Sequence, residues 1–502
     1  MLVGLALPIF LFLYLVFLVG VGYTASKYMK SLEDYVLAGR RVGSWALAFT
    51  FSATGMSGWL GLGFAGYTYR SGFEGVWTMV PSATIGIFLS FVLISKLIRR
   101  YSEDVNALTV PDVLEIRYYD RKKVLRIIGS IVILAAAIAY INGQLVACGK
   151  LFATVLGWNY NVTIVIAAIT FVAWTTLGGL LAVSWTDLVQ GILMVCGSAM
   201  AGAFAIALSG GIEELSVGLA KVAKTDPAFI ISPFATVPIV IYGISLFLGD
   251  GIMSWAGQPT LMMRYMSAKD TKTLTLSAVL AVFIQSILFF GVFLAALYMR
   301  AKFPSAELLP VSNDSETVLL QFFSTMTHPI FAGVFVGSIL AGILSTADSM
   351  LLIGASTLVN DIYIKIFNPS VNPRQALTYS RIATVLLGVL GVILSLRGGS
   401  VLWISWFGWN TLGLFGGPVI LGLLWPRTSR EGAIAGLATG FILMAIWGPL
   451  NLEAKLNLFQ AFGGCLATYV VTWVVSLFTP APPTEIQSQI RELRSKPLAA
   501  RG

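Results

Sequence analysis

The chain reads SATGMSGW at residues 52–59, in the middle of an apolar run that extends from residue 44 to residue 70. A helix of this length can cross the roughly 30 Å hydrocarbon core of a bilayer, yet two glycines and three hydroxyl side chains interrupt its centre. A later apolar run carries GDGIMSW at residues 249–255. Glycine pairs also serve close helix packing, but the matched Gly, Met, Ser and Trp residues favour two broken helices at a transporter binding site.

The composition indicates an integral membrane protein. Of the 502 residues, 57% are hydrophobic and 11% are charged, whereas about 25% of a typical soluble protein is charged. The apolar runs are continuous and not alternating, which favours helices over a barrel. The predicted fold class is all-α integral membrane, with about 13 transmembrane helices. Their approximate limits are 5–27, 44–70, 75–97, 124–155, 160–178, 180–209, 234–257, 272–300, 329–360, 375–397, 401–425, 429–450 and 457–479.

These spans predict one transmembrane transporter domain over residues 1–480, followed by a short cytoplasmic tail at 481–502. The first span is interpreted as a retained helix rather than a signal peptide, because it lacks a basic leading region and its apolar run is too long. If the two glycine-interrupted spans each begin a repeat, helices 2–11 form a five-plus-five inverted-repeat core. Its halves are about 44–209 and 234–425.

The distribution of lysine and arginine predicts the orientation in the membrane. Cytoplasmic loops carry an excess of these residues. With the N-terminus outside, 24 of the 32 Lys and Arg residues fall on the cytoplasmic side and 8 on the other. This bias predicts an odd number of spans, a cytoplasmic C-terminus and a multi-pass protein of the plasma membrane. It also accounts for the net charge of +9 without a nucleic-acid partner.

The reactive side chains argue against an enzyme. His328 is the one histidine, and Cys148, Cys196 and Cys465 lie in apolar segments with no paired spacing. Such cysteines form neither a metal motif nor a disulfide framework. With no nucleotide-binding loop either, the sequence predicts no enzymatic activity and no cofactor other than a coupling ion.

A short run of oxygen-bearing residues predicts an ion site. Ser345-Thr346-Ala347-Asp348-Ser349 places three hydroxyls and a carboxylate within five residues of an apolar span. Hard oxygen ligands suit a small cation, and Na⁺ is the expected one. The alternative is that these hydroxyls bond to carbonyls one turn back. One helix cannot enclose an ion, so we expect a second set of ligands from the carbonyls of Ala53 and Met56, which the break at Gly55 and Gly58 would free.

Two further acidic residues lie in apolar runs. Asp187 begins the sixth span, and Asp250 stands between two glycines of the seventh. Acidic residues within a membrane are costly, which makes each of them a functional candidate.

At this point the sequence resembles the sodium:solute symporter family with its LeuT-type core, and within it the sodium/proline carriers. The segments that carry the resemblance are LEDYVLAGR at 32–40, MSGWL at 56–60, ALTVPD at 107–112, GGLLAVSWTD at 178–187, GQP at 257–259 and STADS at 345–349.

The resemblance implies particular ion ligands. A sodium site would use the carbonyls of Ala53, Met56 and Gly342 and the hydroxyls of Ser345 and Thr346. Some relatives have a second cation site, whose pattern falls here on Ser345 and on Asp187, Asp348 and Ser349. The competing interpretation of Asp187 is a gate, or a relay for protons or ions, near the cytoplasmic mouth.

The resemblance and the residues together suggest a solute pocket. Apolar walls with few polar groups suit a small organic solute, although any single aromatic residue can equally serve packing or the interfacial belt. The candidate substrate-binding residues are Ser57, Trp59, Tyr140, Trp255, Gln258 and Pro259.

The chain departs from the proline carriers in this region. Those carriers have an aspartate where this chain has Gly55, and a tryptophan and a tyrosine where it has Gly251 and Trp255. We expect an altered or wider pocket, with Asp250 replacing the missing aspartate and facing the cation or a substrate amine. Capping of a helix break is the alternative role of Asp250. Arg40 matches a family arginine, for which gating and determination of topology are both open.

The function predicted from these features is sodium-coupled secondary active symport, importing a small organic solute by alternating access. Proline is the solute favoured by the resemblance, with another amino acid or a carboxylate or pantothenate-like acid as the alternative. A channel or a transporter-like sensor fits less well, because no repeated filter motif is present. The expected partners are the solute, Na⁺ and the lipid bilayer, and the oligomeric state stays open.

Overall fold

The computed structural model describes residues 2–28, 30–232, 234 and 236–495. These residues form helices connected by short loops. They contain two isolated β-bridges and no β-strand. Thirteen apolar segments are numbered α1 (Leu2–Ser26), α2 (Ser44–Gly55 and 59–71), α3 (Glu74–Asp104), α4 (Val124–Leu156), α5 (160–178), α6 (180–209), α7 (Val237–Gly257), α8 (Thr271–Lys302), α9 (Phe331–Phe367), α10 (Pro373–Ser395), α11 (Val401–Leu424), α12 (Arg430–Trp447) and α13 (Gln460–Phe478).

The all-α membrane fold is confirmed. Within the described ranges, ten helices are long and apolar enough to cross a membrane. Two other apolar stretches, Phe12–Ser26 and Tyr160–Ala173, are shorter, and α2 is interrupted. The thirteen segments follow the predicted spans within a few residues, except that α3 and α9 extend one to two turns further. The chain is therefore a multi-pass membrane protein.

The break in α2 lies where the sequence predicts it. The helix ends at Gly55, Met56 has φ −108° and ψ 58°, and a wider π-helical turn resumes at Trp59. Helical hydrogen bonding is lost across these residues, so carbonyls that would otherwise be paired face the interior of the protein.

The predicted break at 249–255 is wrong in position. Residues 247–254 of α7 form a continuous π-helix, and the chain turns instead at Gln258, before the helix Pro259–Ser267. The glycines here allow close packing. A methyl group at Gly251 would lie 1.8 Å from the Ser82 hydroxyl of α3. Pro259 has no backbone N–H to continue α7, which places the interruption after Gly257.

Helix α9 lies at the centre of the molecule. Its most apolar 18-residue window is buried throughout, and it packs against α2, α4, α6 and α10. Because α9 carries Ser345 and Thr346, its position encloses the predicted ion site with protein on every side.

The segments at the two ends of the bundle associate separately. On one side, Arg40 contacts Ser102 and Met266, and Arg430 pairs with Asp120. On the other, the principal ties are Lys150 to Glu316, Arg300 to Asp226 and Tyr242 to Glu453. The two groups match the two sides that the lysine and arginine count assigned.

The loop 301–328 contains a helix that packs into the protein. This helix, Val318–Met326, buries Leu319, Phe322 and Phe323. The helix Ile212–Thr225 in the other long loop buries one apolar stripe and exposes the rest, as expected for a surface helix.

Candidate ion and solute site

The two predicted sodium-binding hydroxyls each lie within hydrogen-bonding distance of two predicted sodium-binding carbonyls. The Ser345 hydroxyl is 3.1 Å from the Ala53 carbonyl and 3.0 Å from the Gly342 carbonyl. The Thr346 hydroxyl is 3.3 Å from each of the same two carbonyls and 3.0 Å from that of Thr54. All of these residues are buried. The alternative considered above, that the hydroxyls only bond one turn back, is incomplete, since both also reach across to α2.

The fifth predicted ligand borders the same group. A methyl group at Gly342 would come within 2.9 Å of the Met56 carbonyl oxygen, so this carbonyl faces α9 across a close contact. The break after Gly55 brings it there, because a continuous helix would have paired it along its own axis. The arrangement offers three carbonyls and two hydroxyls from two helices, an oxygen set suited to a hard cation.

An arginine that sequence reasoning missed lies among the residues of the predicted second cation site. The Arg264 guanidinium donates to the hydroxyls of Thr54 (2.7 Å) and Ser349 (2.5 Å). It lies 4.0 Å from the Asp187 carboxylate, which accepts a hydrogen bond of 2.6 Å from Thr50. Arg264 is only 2% exposed. A fixed cation of the protein is therefore the group that contacts Ser349 and faces Asp187.

Asp348 lies on the same part of α9. It is fully buried, and its carboxylate is 3.4 Å from the hydroxyl of Ser349. The three residues of the second set are thus close to one another, with Arg264 between them and the break in α2.

A small aromatic cavity borders the break in α2. In this conformation its enclosed space is about 10 Å³, close to the volume that holds one water molecule, so a solute requires the walls to separate. Eight residues line it: Gly55, Trp59, Tyr140, Asp250, Trp255, Ser405, Trp406 and Trp409.

Three of the six predicted substrate residues line this cavity, namely Trp59, Tyr140 and Trp255. Ser57 lies directly behind it, since its hydroxyl is 2.9 Å from that of Tyr140. Gln258 and Pro259 are not among the lining residues. The Gln258 amide donates instead to the Trp409 carbonyl at 2.6 Å.

The lining residues of α11 were missed. Ser405, Trp406 and Trp409 line the cavity, and the rings of Trp255 and Trp409 meet edge to face with centroids 4.8 Å apart. A tryptophan-rich stretch with Ser405 and Trp409 four residues apart was the available signal, because this spacing puts both on one helix face.

The glycine that departs from the proline carriers is required by its neighbour. A methyl group at Gly55 would lie 2.4 Å from the outer edge of the Trp255 ring. The two unusual residues, Gly55 and Trp255, thus occupy one space between them. Asp250 lines the same cavity.

Arg40 joins three segments at the charged end of the bundle. Its guanidinium donates to Glu33 (3.0 Å), to Ser102 (3.0 Å) and to the carbonyls of Ala107 (2.7 Å) and Met266 (3.0 Å). Burial lowers the pKa of Arg40, opposed by the hydrogen bond to Glu33. Arg40 thus pairs with an acid, Glu33, and most of its hydrogen bonds join neighbouring segments of the chain.

Comparison with known proteins gives one family. The sequence profile of the sodium:solute symporter family matches residues 35–440. The high-affinity proline transporter PutP of Bacillus subtilis is 30% identical over 94% of this chain and 98% of its own length. The sodium/proline symporter of Salmonella typhimurium is 28% identical over 95% of this chain and 94% of its own.

Solved structures share the fold. A Na⁺-coupled sialic acid symporter, in a substrate-bound outward-open state, aligns with a TM-score of 0.75 at 22% identity, over 95% of this chain and 98% of that one. Mhp1, a nucleobase-cation-symport-1 family transporter, aligns with a TM-score of 0.55 at 13% identity, over 91% and 98%. These likenesses support the LeuT-type inverted-repeat architecture.

Proposed function

The chain belongs to the sodium:solute symporter family, and we propose that it uses the downhill entry of Na⁺ to import proline across the plasma membrane. Relatives that match nearly its whole length are named as proline transporters. Moving one charge across 100 mV supplies about 2.3 kcal/mol, before any contribution from the sodium concentration gradient. Alternating access around a fixed central site converts this free energy into solute accumulation.

The observation that carries the proposal is the set of oxygens shared by α2 and α9. Na⁺ binds the carbonyls of Ala53, Met56 and Gly342, and the hydroxyls of Ser345 and Thr346 rotate to turn their lone pairs toward the ion. The ion then bridges the two helices at the break. Residue 57 lies within the break and residue 59 directly after it, and both adjoin the solute cavity. Ion binding therefore orders one wall of that cavity.

One Na⁺ accompanies each solute in this proposal. The Arg264 guanidinium already donates to Thr54 and Ser349 and faces Asp187. A second Na⁺ at this position would meet a like charge at short range. Arg264 therefore serves as a permanent counter-ion to the acids of the second set.

The orientation proposed has the N-terminus outside and the C-terminus in the cytoplasm. It follows from the threefold excess of Lys and Arg on one side and from the positive-inside rule. The association of the predicted cytoplasmic segments with one another supports it.

Uptake by purified protein in proteoliposomes tests the function. An inward Na⁺ gradient is expected to drive saturable accumulation of labelled proline, with a charge-to-proline ratio of one at a clamped potential. No sodium-stimulated uptake would refute the proline assignment, and a ratio of two would refute the single-ion proposal.

Two hydroxyl variants test the ion site. Ser345→Ala and Thr346→Ala each remove one proposed ligand, and we expect the half-saturating Na⁺ concentration to rise about tenfold or more, with a smaller change in that for proline. Ser356→Ala is the matched control, since among the described residues its buried hydroxyl bonds only to the Ile353 carbonyl of its own helix. Sodium dependence equal to that of the control in both variants would exclude these ligands.

A further inference from the structure

The cavity beside the α2 break contains an acidic group without a counter-ion. Asp250 is 4% exposed and lines the cavity. The Asn410 side chain lies beside it, but its Oδ1 atom has no hydrogen bond of normal geometry within the described part of the chain, and no ion pair there includes Asp250. Burial of an unpaired carboxylate is costly, so a cation supplied from outside the chain would be strongly favoured at this point.

Packing directs this carboxylate toward the cavity. Gly249 and Gly251 lie directly against Phe462 of α13 and Ser82 of α3. Neighbouring helices therefore cover the π-helix at both glycines. The Asp250 side chain between them borders the cavity next to α11. A larger residue at position 251 has no room there.

The walls around Asp250 suit an organic cation better than a metal ion. Trp255, Trp406 and Trp409 line the cavity together with Tyr140. Aromatic faces attract ammonium groups and are the usual surroundings of alkylated ones. A bare alkali cation instead requires a shell of oxygen ligands, which four aromatic rings do not provide.

The same cavity contains unpaired donors. The indole N–H groups of Trp59 and Trp406 and the hydroxyl of Ser405 have no hydrogen-bond partner among the described residues. Buried hydrogen-bond donors rarely lack an acceptor. These three groups could donate to an acceptor on a bound solute, such as a carboxylate.

We infer that this pocket recognises an ammonium-bearing carboxylate, with its ammonium group at Asp250 between the tryptophan rings and its carboxylate on the indole and hydroxyl donors. The inference rests on the proposed solute-transport function and specifies the class of solute. It assigns Asp250 to the solute rather than to Na⁺, and it makes the positive charge on the solute a requirement for binding.

Two matched pairs of compounds test the charge requirement. Proline pairs with tetrahydrofuran-2-carboxylate, which replaces the ring ammonium by an ether oxygen. Glycine betaine pairs with 3,3-dimethylbutanoate, which replaces the quaternary nitrogen by carbon. Binding to the full-length purified protein in saturating Na⁺ is measured by quenching of tryptophan fluorescence. We expect an ammonium compound to bind at least about 30-fold more tightly than its neutral-headed partner.

The variant Asp250→Asn keeps the size of the side chain and removes its charge. We expect it to reduce the preference to within about threefold, and Asp104→Asn, at an exposed acid outside the cavity, to leave the preference intact. A full preference in Asp250→Asn would overturn the inference. A higher Na⁺ requirement with unchanged preference would also overturn it, since the carboxylate would then serve the ion.

The wild-type comparison needs no variant. Equal binding within each pair, or no binding of either ammonium compound, overturns the inference. If glycine betaine binds selectively and proline does not, the proline assignment fails and the inference stands. If proline accumulates but tetrahydrofuran-2-carboxylate competes equally with it, the transport function stands and the inference fails.

Discussion

At the scale of single residues, Gly55 and Trp255 are one feature of the molecule. The Trp255 ring takes the space that a side chain at position 55 would need. Along the sequence the two residues are 200 positions apart. Their contact makes them mutually dependent, because residues that share one space in a packed interior do not change independently.

The contact predicts a pair of variants with non-additive effects. Gly55→Ala would place a methyl group 2.4 Å from Trp255, and we expect it to reduce transport at least about tenfold, by forcing the ring aside. The double variant Gly55→Ala with Trp255→Tyr lacks the outer ring of the indole, and we expect it to recover much of the transport lost in Gly55→Ala. Transport kinetics and melting temperature of both single variants and the double variant measure the coupling. Simple addition of the two losses would contradict it.

At the scale of helices, a buried ion network joins the charged ends of α4 and α9. Arg126 of α4 donates to Asp112 at 2.7 Å and to Asp361 of α9 at 2.9 Å, and it also pairs with Glu115. The Asp361 carboxylate accepts further from Asn360. Since α4 carries Tyr140 and α9 carries Ser345, this network connects the helices of the solute cavity and the ion site.

Removal of the central cation should destabilise the protein. Arg126→Gln leaves two buried carboxylates without their partner, which costs on the order of 3 kcal/mol. We expect a melting temperature several degrees lower in detergent. Lys122→Gln, at an exposed position in the turn before α4, is the control and should change little. An unaltered melting temperature for Arg126→Gln would mean that the network contributes no net stability.

At the scale of the whole molecule, Glu316 joins elements from distant parts of the chain at the opposite end. It pairs with Lys150 of α4 at 2.7 Å and accepts hydrogen bonds from Ser400 and from the first two amides of α11. Burial opposes ionisation of Glu316, but the Lys150 charge and these hydrogen bonds lower its pKa below the usual 4.5. The ionised form is therefore the one that holds these elements together.

The lowered pKa of Glu316 gives a pH-dependent contribution to stability. A depressed folded-state pKa stabilises the protein above the unfolded value of about 4.3, and this contribution is lost as pH falls through the folded value. We expect Glu316→Gln to lower the melting temperature at pH 7, and the difference from wild type to shrink below about pH 4. Glu307→Gln, in the same loop, is the control. A difference independent of pH would indicate that the charge is irrelevant.

The orientation of the whole molecule predicts a labelling pattern. In a background with Cys148, Cys196 and Cys465 replaced by alanine, Lys455→Cys and Arg374→Cys place single thiols at exposed positions on opposite sides. A membrane-impermeant maleimide should label the first in intact cells and the second only after permeabilisation. The reverse pattern would invert the proposed topology.

The amino-acid sequence by itself determined the membrane class and the helical segments, and it indicated most of the proposed ion site. Apolar run length decides whether a segment can span a bilayer, and this property is local. The hydroxyls of Ser345 and Thr346 lie within one helical turn, and the glycines after Ala53 indicate carbonyls without a helical partner. The α9 half and the α2 half of the site therefore each have a local signal in the sequence. The same glycines predict the Met56 carbonyl, and only the Gly342 carbonyl came from the family resemblance.

Only the tertiary structure decided which side chains meet across the bundle. No motif in the sequence marks Arg264, yet it lies buried against Ser349, 85 residues away. Trp409 meets Trp255, which lies 154 positions earlier in the chain, and the turn after α7 falls at Gln258 rather than at the glycines of that helix. Such contacts depend on how helices pack against one another. Packing is set by the summed shapes of many side chains rather than by any short pattern.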